Sequence, residues 1–430
     1  MAWPLRFSVV VAGLLAFTVT VEGQNQRNNC IDCHRSLDDE ELSQPARAAV
    51  DDVHASAGIT CADCHGGNPT LEIVDEDYDP AKEPSTGFVG APSVGDIPTF
   101  CGKCHADAAY MQRYDPNLPV DQLAQYWTSG HGKKLREGAT DIAECVSCHG
   151  SHGMLAVRDP RAPVYPTKVA DTCGGCHADE EHMAPYELPT DQLALYRESV
   201  HGRALYQDGD LSAPTCNTCH GNHGASPPGL SSVSLVCGNC HAIQRDFFTK
   251  SPHRAAFADL GEPECETCHG NHEVAPVTDE LLGVADGQIC GECHFEDVEA
   301  YTIAKTLRQD IEELKARIAE ARTTVEGAAV AGMEVSEAEV ILIDANQALV
   351  KARNTVHAAS LDALREQTDA GRKLADQALE MGIAALGELQ FRQKGLAVSV
   401  FFILLVVIGL YLKIQQIERP PRPPDDSYTT

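Results

Sequence analysis

One short motif, Cys-x-x-Cys-His, recurs nine times between residues 30 and 294 and constrains the chain more than any other feature. The nine copies use all 18 cysteines, so none is left for a disulfide or a free thiol. The cysteine pairs are Cys30 and Cys33, Cys61 and Cys64, Cys101 and Cys104, Cys145 and Cys148, Cys173 and Cys176, Cys216 and Cys219, Cys237 and Cys240, Cys265 and Cys268, and Cys290 and Cys293. The histidines that complete the motifs are His34, His65, His105, His149, His177, His220, His241, His269 and His294.

This spacing is the one that covalent haem attachment requires. Two thiols so placed can add to the two vinyl groups of one porphyrin, and the next residue, His, can then bind the iron. A single Cys-x-x-Cys pair could equally be a redox dithiol or half of a zinc knuckle. Nine copies, each followed directly by His, instead predict nine covalently attached c-type haems.

The chain holds as many additional histidines as motif histidines. They are His54, His131, His152, His182, His201, His223, His253, His272 and His357. A haem iron has two axial positions, of which the motif histidine fills one. If each additional histidine fills one second position, every iron is closed and exchanges electrons without binding a substrate. An enzyme would need at least one iron with an open position.

Most of the additional histidines belong to an internal repeat. A Ser-x-His element, which lies 12 to 15 residues before a motif, contains His131, His201 and His253. A Cys-His-Gly-x-His element contains His152, His223 and His272. A histidine one turn beyond a motif histidine lies on the wrong side of its own haem, so we expect it to bind a neighbouring iron. Three repeats cover residues 118–294, and a degenerate copy from His54 to His105 has Asn68 in place of the second histidine.

Two histidines fall outside this pattern. His357 is spaced by sevens from Ile343, Val350 and Leu364, which predicts a buried stripe on a helix. A histidine in such an aliphatic seam needs a partner, either a hydrogen-bonding neighbour or an iron, and we favour the iron. His182 occupies a place that a tyrosine fills in another repeat, so ligation and a structural role both stay open there.

The composition predicts five segments. Residues 1–23 resemble a signal peptide, with a short basic start and an apolar stretch; a retained membrane anchor is the alternative. Residues 24–297 form the nine-haem domain, in which loops and short helices surround a core of stacked haems. Residues 298–394 form a helical stalk. Residues 395–414 form a transmembrane helix, and residues 415–430 a short tail. The predicted fold class is therefore mainly α with much loop.

Three long helices are expected after the last motif. The first runs from Val298 to about Glu326 and the second from a capping box at Ser336 to about Gln367. The third begins near Ala370 and continues into the membrane span. The apolar stripe of the first helix consists of Ile303, Leu307, Ile311, Leu314, Ile318 and Val325.

Charge and topology limit the partners. The formal net charge of −30 excludes nucleic-acid binding and favours a redox partner with a basic docking patch. Haem c is attached outside the cytoplasm, so the haem domain is expected at the periplasmic side of the inner membrane, held by the single carboxy-terminal helix, with the tail in the cytoplasm. A quinol-oxidising membrane complex would be a suitable electron donor.

The haem motifs with their Ser-x-His and Cys-His-Gly-x-His elements resemble periplasmic multihaem c-type cytochromes. One similar branch comprises the decahaem electron-conduit cytochromes, and another comprises the cytochrome c nitrite reductases and hydroxylamine oxidoreductases. The chain has no Cys-x-x-Cys-Lys motif of the kind that nitrite reductases use, and no catalytic residue is identified. The match between additional histidines and haems favours an electron-transfer protein, and two histidines on each iron would give the low potentials that suit anaerobic respiration. The alternative is an oxidoreductase that acts on a small nitrogen or sulfur compound at one five-coordinate haem.

Overall fold

The computed structural model describes residues 28–72, 78–226 and 233–419. The predicted signal peptide and most of the predicted tail lie outside these residues. The described part of the chain is mainly helical and contains no β-strand, which confirms the predicted fold class at this level.

The described residues up to 294 form many short helices joined by loops. The helices are α1 Asn29–Arg35, α2 Glu40–Ala48, α3 Val53–Ser56, α4 Cys61–His65, α5 Ile97–His105, α6 Ala108–Met111, α7 Gln122–Tyr126, α8 Gly130–Arg136, α9 Cys145–His149, α10 Pro166–His177, α11 Glu180–Met183, α12 Gln192–Glu198, α13 Val200–Tyr206, α14 Cys216–His220, α15 Val233–Gly238, α16 Ala242–Lys250, α17 Pro252–Leu260 and α18 Glu266–His269. Short 3₁₀ turns lie at Pro80–Lys82, Pro84–Thr86, Ala184–Tyr186, Asp279–Leu281 and Ile289–Glu292.

Three long helices follow, α19 Glu299–Val330, α20 Ser336–Thr355 and α21 Leu361–Glu418. They pack together around a hydrophobic core that includes Ile311, Leu314, Ala345 and Leu364. The predicted stripe of α19 is buried in this core, with Ile303 packed partly buried at its edge.

The ends of α20 and α21 differ from the prediction. The second helix stops at Thr355 instead of Gln367, and a 3₁₀ turn, Val356–Ala358, follows it. Ala359 then takes the left-handed conformation, with φ of 48°. Ser360 caps the next helix by accepting a hydrogen bond from the Ala363 amide. The start of α20 also lacks the predicted capping box, since Ser336 is already its first helical residue.

The chain divides into two compact units. One extends from the start of the described residues to Cys176 and adds His220–Ser226. The other comprises His177–Cys219 and the described residues that follow Ser226. The three long helices belong to the second unit.

The helix α21 is long enough and apolar enough, by its length and composition, to cross a membrane. Its first part packs in the bundle, where Leu364, Ala375 and Leu379 are buried. The apolar stretch that begins at Leu396 is exposed throughout.

Candidate haem-binding site

The cysteine motifs lie on short helical segments that place their reactive groups together. The helices α4, α9 and α14 each begin at the first cysteine of a motif and end at its histidine. Residues three and four positions apart lie on one face of a helix. The two thiols and the imidazole of one motif therefore face the same side, as attachment to one porphyrin requires.

The cysteines are unusually accessible. All 18 are half-buried or exposed and none is buried, although cysteine is normally among the most buried residues. The buried apolar cluster lies in the three long helices and the turn between α19 and α20, and it includes no residue between 28 and 281. A haem at each motif would supply the missing apolar material and cover the thiols, so the motif region fits this cofactor.

Within the two units, six motif histidines each face one additional histidine. The ring centroids are 5.9 Å apart for His105 and His54, 6.1 Å for His65 and His152, 6.2 Å for His149 and His223, 6.4 Å for His241 and His201, 5.9 Å for His294 and His253, and 6.1 Å for His269 and His357.

These separations match the distance across an iron that binds two imidazoles. Two metal–nitrogen bonds of about 2 Å each, together with the radii of the two rings, amount to about 6 Å. Aromatic rings in ordinary contact can have similar spacings, so distance alone does not distinguish the two cases. The distinguishing observation is that each of the six pairs joins one motif histidine to one additional histidine.

The second ring nitrogen is engaged in the way that a metal-binding imidazole requires. Nδ1 of His34 donates to the Leu42 carbonyl at 2.8 Å, and Nδ1 of His65 donates to the Gly90 carbonyl at 2.8 Å. His357 donates in the same way to the Asn354 carbonyl at 3.0 Å. Because Nδ1 carries the proton, the lone pair is on Nε2, the nitrogen left to bind a metal.

Burial also favours the neutral form of eight of the paired imidazoles. It lowers the pKa of His105, His149, His152, His201, His223, His253, His269 and His357 below the usual value. Removing a charged imidazolium from water is unfavourable, so the uncharged form is preferred. That form is the one that binds iron.

The Ser-x-His element is a helix start. Ser129 and Ser199 are the N-caps of α8 and α13, and their hydroxyls accept hydrogen bonds from the amides of Gly132 and Gly202. The histidine is the second residue of each helix. The glycine after it packs against the preceding aromatic residue, since a Cβ at Gly132 would lie 2.1 Å from the Tyr126 carbonyl oxygen. The sequence Ser-x-His-Gly thus fixes the histidine at the second position of its helix.

Backbone hydrogen bonds join the two kinds of repeated element. The donor is the backbone amide of the residue just before the histidine of a Ser-x-His element, or just before His54. The acceptor is the carbonyl of the residue two positions after the last histidine of a Cys-His-Gly-x-His element. The bonds run from Val53 to Met154 at 2.7 Å, from Gly130 to Ala225 at 3.0 Å, and from Val200 to Val274 at 2.9 Å. The elements that contain His54, His131 and His201 are therefore each attached to the Cys-His-Gly-x-His element of the next repeat.

The pairs follow a regular register that the sequence pattern alone does not reveal. His54, His201 and His253 each face the histidine of the second motif downstream. His152 and His223 each face the first motif of the preceding repeat. The repeat alignment contained the necessary spacing, but it could not show which of the neighbouring motifs comes close in space.

His357 meets a motif histidine, although the reason predicted for its position was wrong. Ile343 and Val350 are 58% and 53% exposed, so no buried stripe connects them to His357. The imidazole instead belongs to the 3₁₀ turn between α20 and α21 and faces His269. Gln244 of α16 bonds to Asn354 at 2.7 Å and helps to hold this turn.

The remaining histidines differ in their surroundings. His182 is half-buried on α11, and its ring lies 6.4 Å from that of Tyr186. His34 has its Nδ1 bond to Leu42, and in the described part of the chain no second imidazole faces it. His131, His177, His220 and His272 have further partners, and their ligation stays a prediction.

Motifs that are consecutive in sequence also lie side by side. In the first unit Cys30 interacts electrostatically with Cys61, Cys64 with Cys104, Cys101 with Cys145, and Cys148 with Cys176. In the second unit the same holds for Cys219 with Cys237, Cys237 with Cys265, and Cys268 with Cys290. Each unit thus arranges its motifs in chain order.

Comparison with protein-family models, curated proteins and solved structures finds no match for the chain. Among the described residues, no three or more His, Cys, Asp or Glu side chains converge in a group able to hold a metal ion. A haem iron takes only two protein ligands, so the haem prediction does not require such a group.

Proposed function

We propose that the chain is a membrane-anchored, nine-haem c-type cytochrome that transfers electrons at the periplasmic side of the inner membrane. The observation that carries this proposal is the set of six imidazole pairs, each made of one motif histidine and one additional histidine. The cysteine pairs would hold the haems covalently, and the histidines would be the axial ligands. The haems would supply the reversible one-electron chemistry of iron.

The protein's contribution is to close the iron sites and to set their order. Two histidines on one iron leave no position for a substrate, so such a site exchanges electrons only. Histidine on both sides also gives a lower potential than the Met/His pair. This suits anaerobic respiration with a quinol-oxidising donor.

The order of the motifs supports a path along each unit. Consecutive thiols such as those of Cys101 and Cys145 interact electrostatically, so the attached haems would be neighbours. Electrons would therefore pass between motifs in chain order within a unit. The redox partner would dock through a basic patch, because the net charge of −30 repels acidic surfaces.

The test is rapid photoreduction of the full-length, detergent-solubilised protein that carries nine haems. A flash-excited dye would inject one electron per molecule, and the absorbance of the haems would report its redistribution. We expect a bimolecular injection step followed by fast transfer between haems whose rate does not depend on protein concentration. Redistribution that scales with protein concentration would mean that the haems do not form a path within one molecule, and would refute the proposal.

A further inference from the structure

The register of the histidine pairs predicts which haem the residue at position 68, an asparagine, should face. The histidine three residues after His149 faces His65, and the one three residues after His220 faces His149. Each such position therefore serves the first motif of the preceding repeat. Asn68 is the residue three positions after His65. The motif that precedes it is the single leading motif, Cys30 to His34. By the same register, residue 68 is expected to face the haem attached to that motif.

Backbone contacts place the neighbours of Asn68 on the leading motif. The Asn29 amide, at the start of α1, donates to the Pro69 carbonyl at 2.9 Å. The Asn29 side chain donates to the Leu71 carbonyl at 3.0 Å. The helix α1 carries both cysteines and His34, so the segment that contains Asn68 is attached to the helix that would hold this haem.

Asn68 offers no strong ligand to an iron. Its side-chain oxygen already accepts hydrogen bonds from the Thr70 amide at 3.1 Å and from the Thr70 hydroxyl at 2.8 Å. The group that remains is the amide NH₂, which is a donor and cannot bind a metal through a lone pair. On the other side of the leading haem, His34 is prepared to be a ligand by its Nδ1 bond to Leu42.

We infer that the leading haem, attached at Cys30 and Cys33, has one open axial position that binds small ligands, and that Asn68 faces this position in place of a histidine. The ligand class is small molecules that coordinate iron and also accept a hydrogen bond, such as nitrite. The Asn68 NH₂ would donate that bond. This site would be the first of the series in its unit, since Cys30 interacts with Cys61 of the next motif.

The experiment uses the full-length protein with nine haems, verified by haem content. Electron paramagnetic resonance of the oxidised protein would count high-spin haem, and titration of the reduced protein with carbon monoxide would count open irons. We expect one high-spin haem that shifts on addition of nitrite, and one carbon monoxide bound per nine haems. Absence of both signals from the unaltered protein would overturn the inference.

The decisive variant is Asn68→His, which supplies the ligand that the register predicts to be missing. We expect the high-spin signal to become low-spin and carbon monoxide binding to fall from one per molecule to nearly none. The matched control is Asn271→His, which adds the same side chain beside His272 and is expected to leave both readouts unchanged.

Two outcomes would contradict the assignment even if an open iron exists. Carbon monoxide binding that persists in an Asn68→His protein with nine haems would place the open iron elsewhere. Equal loss of binding in Asn271→His would show that any added histidine closes the site, so that Asn68 has no special position. Neither outcome would affect the path between closed haems, which the photoreduction experiment tests separately.

Discussion

Single glycine residues decide whether two of the Ser-x-His histidines, His131 and His201, can take their positions. Gly132 and Gly202 both follow such a histidine, and a Cβ at either one would lie 2.1 Å from a backbone carbonyl oxygen in the preceding turn. Backbone atoms cannot move aside as the end of a flexible side chain can. The glycine is thus required by close approach of two backbone segments.

The first prediction concerns Gly132→Ala. The added methyl group would push α8 away from the Tyr126 carbonyl, and overpacking of this kind costs about 1–3 kcal/mol. We expect a lower unfolding temperature in thermal circular dichroism. The control is Gly130→Ala on the same helix, where the nearest atom to an added Cβ is 3.8 Å away. Equal effects of the two substitutions would contradict the steric explanation.

The second prediction concerns His223→Ala. This change removes the ring that lies 6.2 Å from His149, so one low-spin haem should become high-spin. The measurement is electron paramagnetic resonance of the oxidised protein. His182→Ala is the comparison, because that ring lies against Tyr186, and we expect its spectrum to match that of the unaltered protein. An unchanged spectrum for His223→Ala would refute the assigned pairing.

For single residues, the sequence identifies the candidate haem-binding cysteines and histidines well, but it does not identify which histidines pair with each other. The spacing within a motif is local, so the sequence alone indicates that Cys145, Cys148 and His149 act on one haem. The partner of His149 is His223, which lies more than 70 residues away in the chain. Pairing over that separation depends on tertiary contacts such as the bond between Gly130 and Ala225, which no periodicity reveals.

The elements after the last motif are held to the rest of their unit by an acidic residue. Asp279 accepts two hydrogen bonds from Arg353 of α20, at 2.8 and 2.7 Å, and one from Lys315 of α19 at 3.1 Å. Arg308 of α19 also donates to the Asp279 carbonyl at 2.9 Å. The 3₁₀ turn at residues 279–281 thereby joins the bundle to the segment that leads to the last motif.

The third prediction follows from the pKa of Asp279. The hydrogen bond from Arg353 lowers this pKa most, burial opposes the change, and Lys315 lowers the pKa further. A carboxyl whose pKa is lower in the folded state stabilises the protein above its unfolded pKa of about 3.9. That contribution is lost as the pH falls through the folded value.

The variant Asp279→Asn isolates this contribution. We expect it to reduce stability by about 1–3 kcal/mol at pH 7, because a half-buried charged acceptor of hydrogen bonds is lost. The difference from the unaltered protein should shrink as the pH falls below about 4. Thermal unfolding followed by circular dichroism between pH 3 and 7 measures it. A difference that stays constant over this range would contradict the role of the charge.

The boundary between α20 and α21 is a helix end that the sequence pattern did not predict correctly. The apolar spacing of α19 identified its buried face because that face packs along its whole length. The residues after Thr355 also have good helix formers, and periodicity alone continued the helix to Gln367. The helix ends earlier because the left-handed Ala359 and the cap at Ser360 start a new one. Neither residue is a strong stop signal in sequence.

In the whole molecule, buried apolar residues are distributed unevenly, so the long helices and the motif region are expected to be stabilised in different ways. The long helices share a dense buried core, whereas the motif region has scattered buried residues such as Met111, Tyr126 and Leu205. The three-helix bundle can therefore be expected to form without cofactor, and the motif region to depend on it.

The fourth prediction tests this division. Expression of the full chain in cells that lack the machinery for haem c attachment should give a protein whose bundle resists proteolysis while the motif region is degraded. We expect protected fragments that begin near Glu299. The control is the same chain with nine haems, which should be protected throughout. Equal protection of the motif region without haem would show that it folds without the cofactor.

The continuity of α21 has a mechanical consequence. The helix contains 58 residues, a length of about 87 Å at 1.5 Å per residue, and it has no proline that would introduce a kink. Buried positions continue to Gly382, and the apolar stretch begins at Leu396. The three-helix bundle would therefore be held by a rigid helix at a nearly constant height above the lipid. A docking partner anchored in the same bilayer would then search for it by lateral diffusion in two dimensions, and its reach would need to match that height.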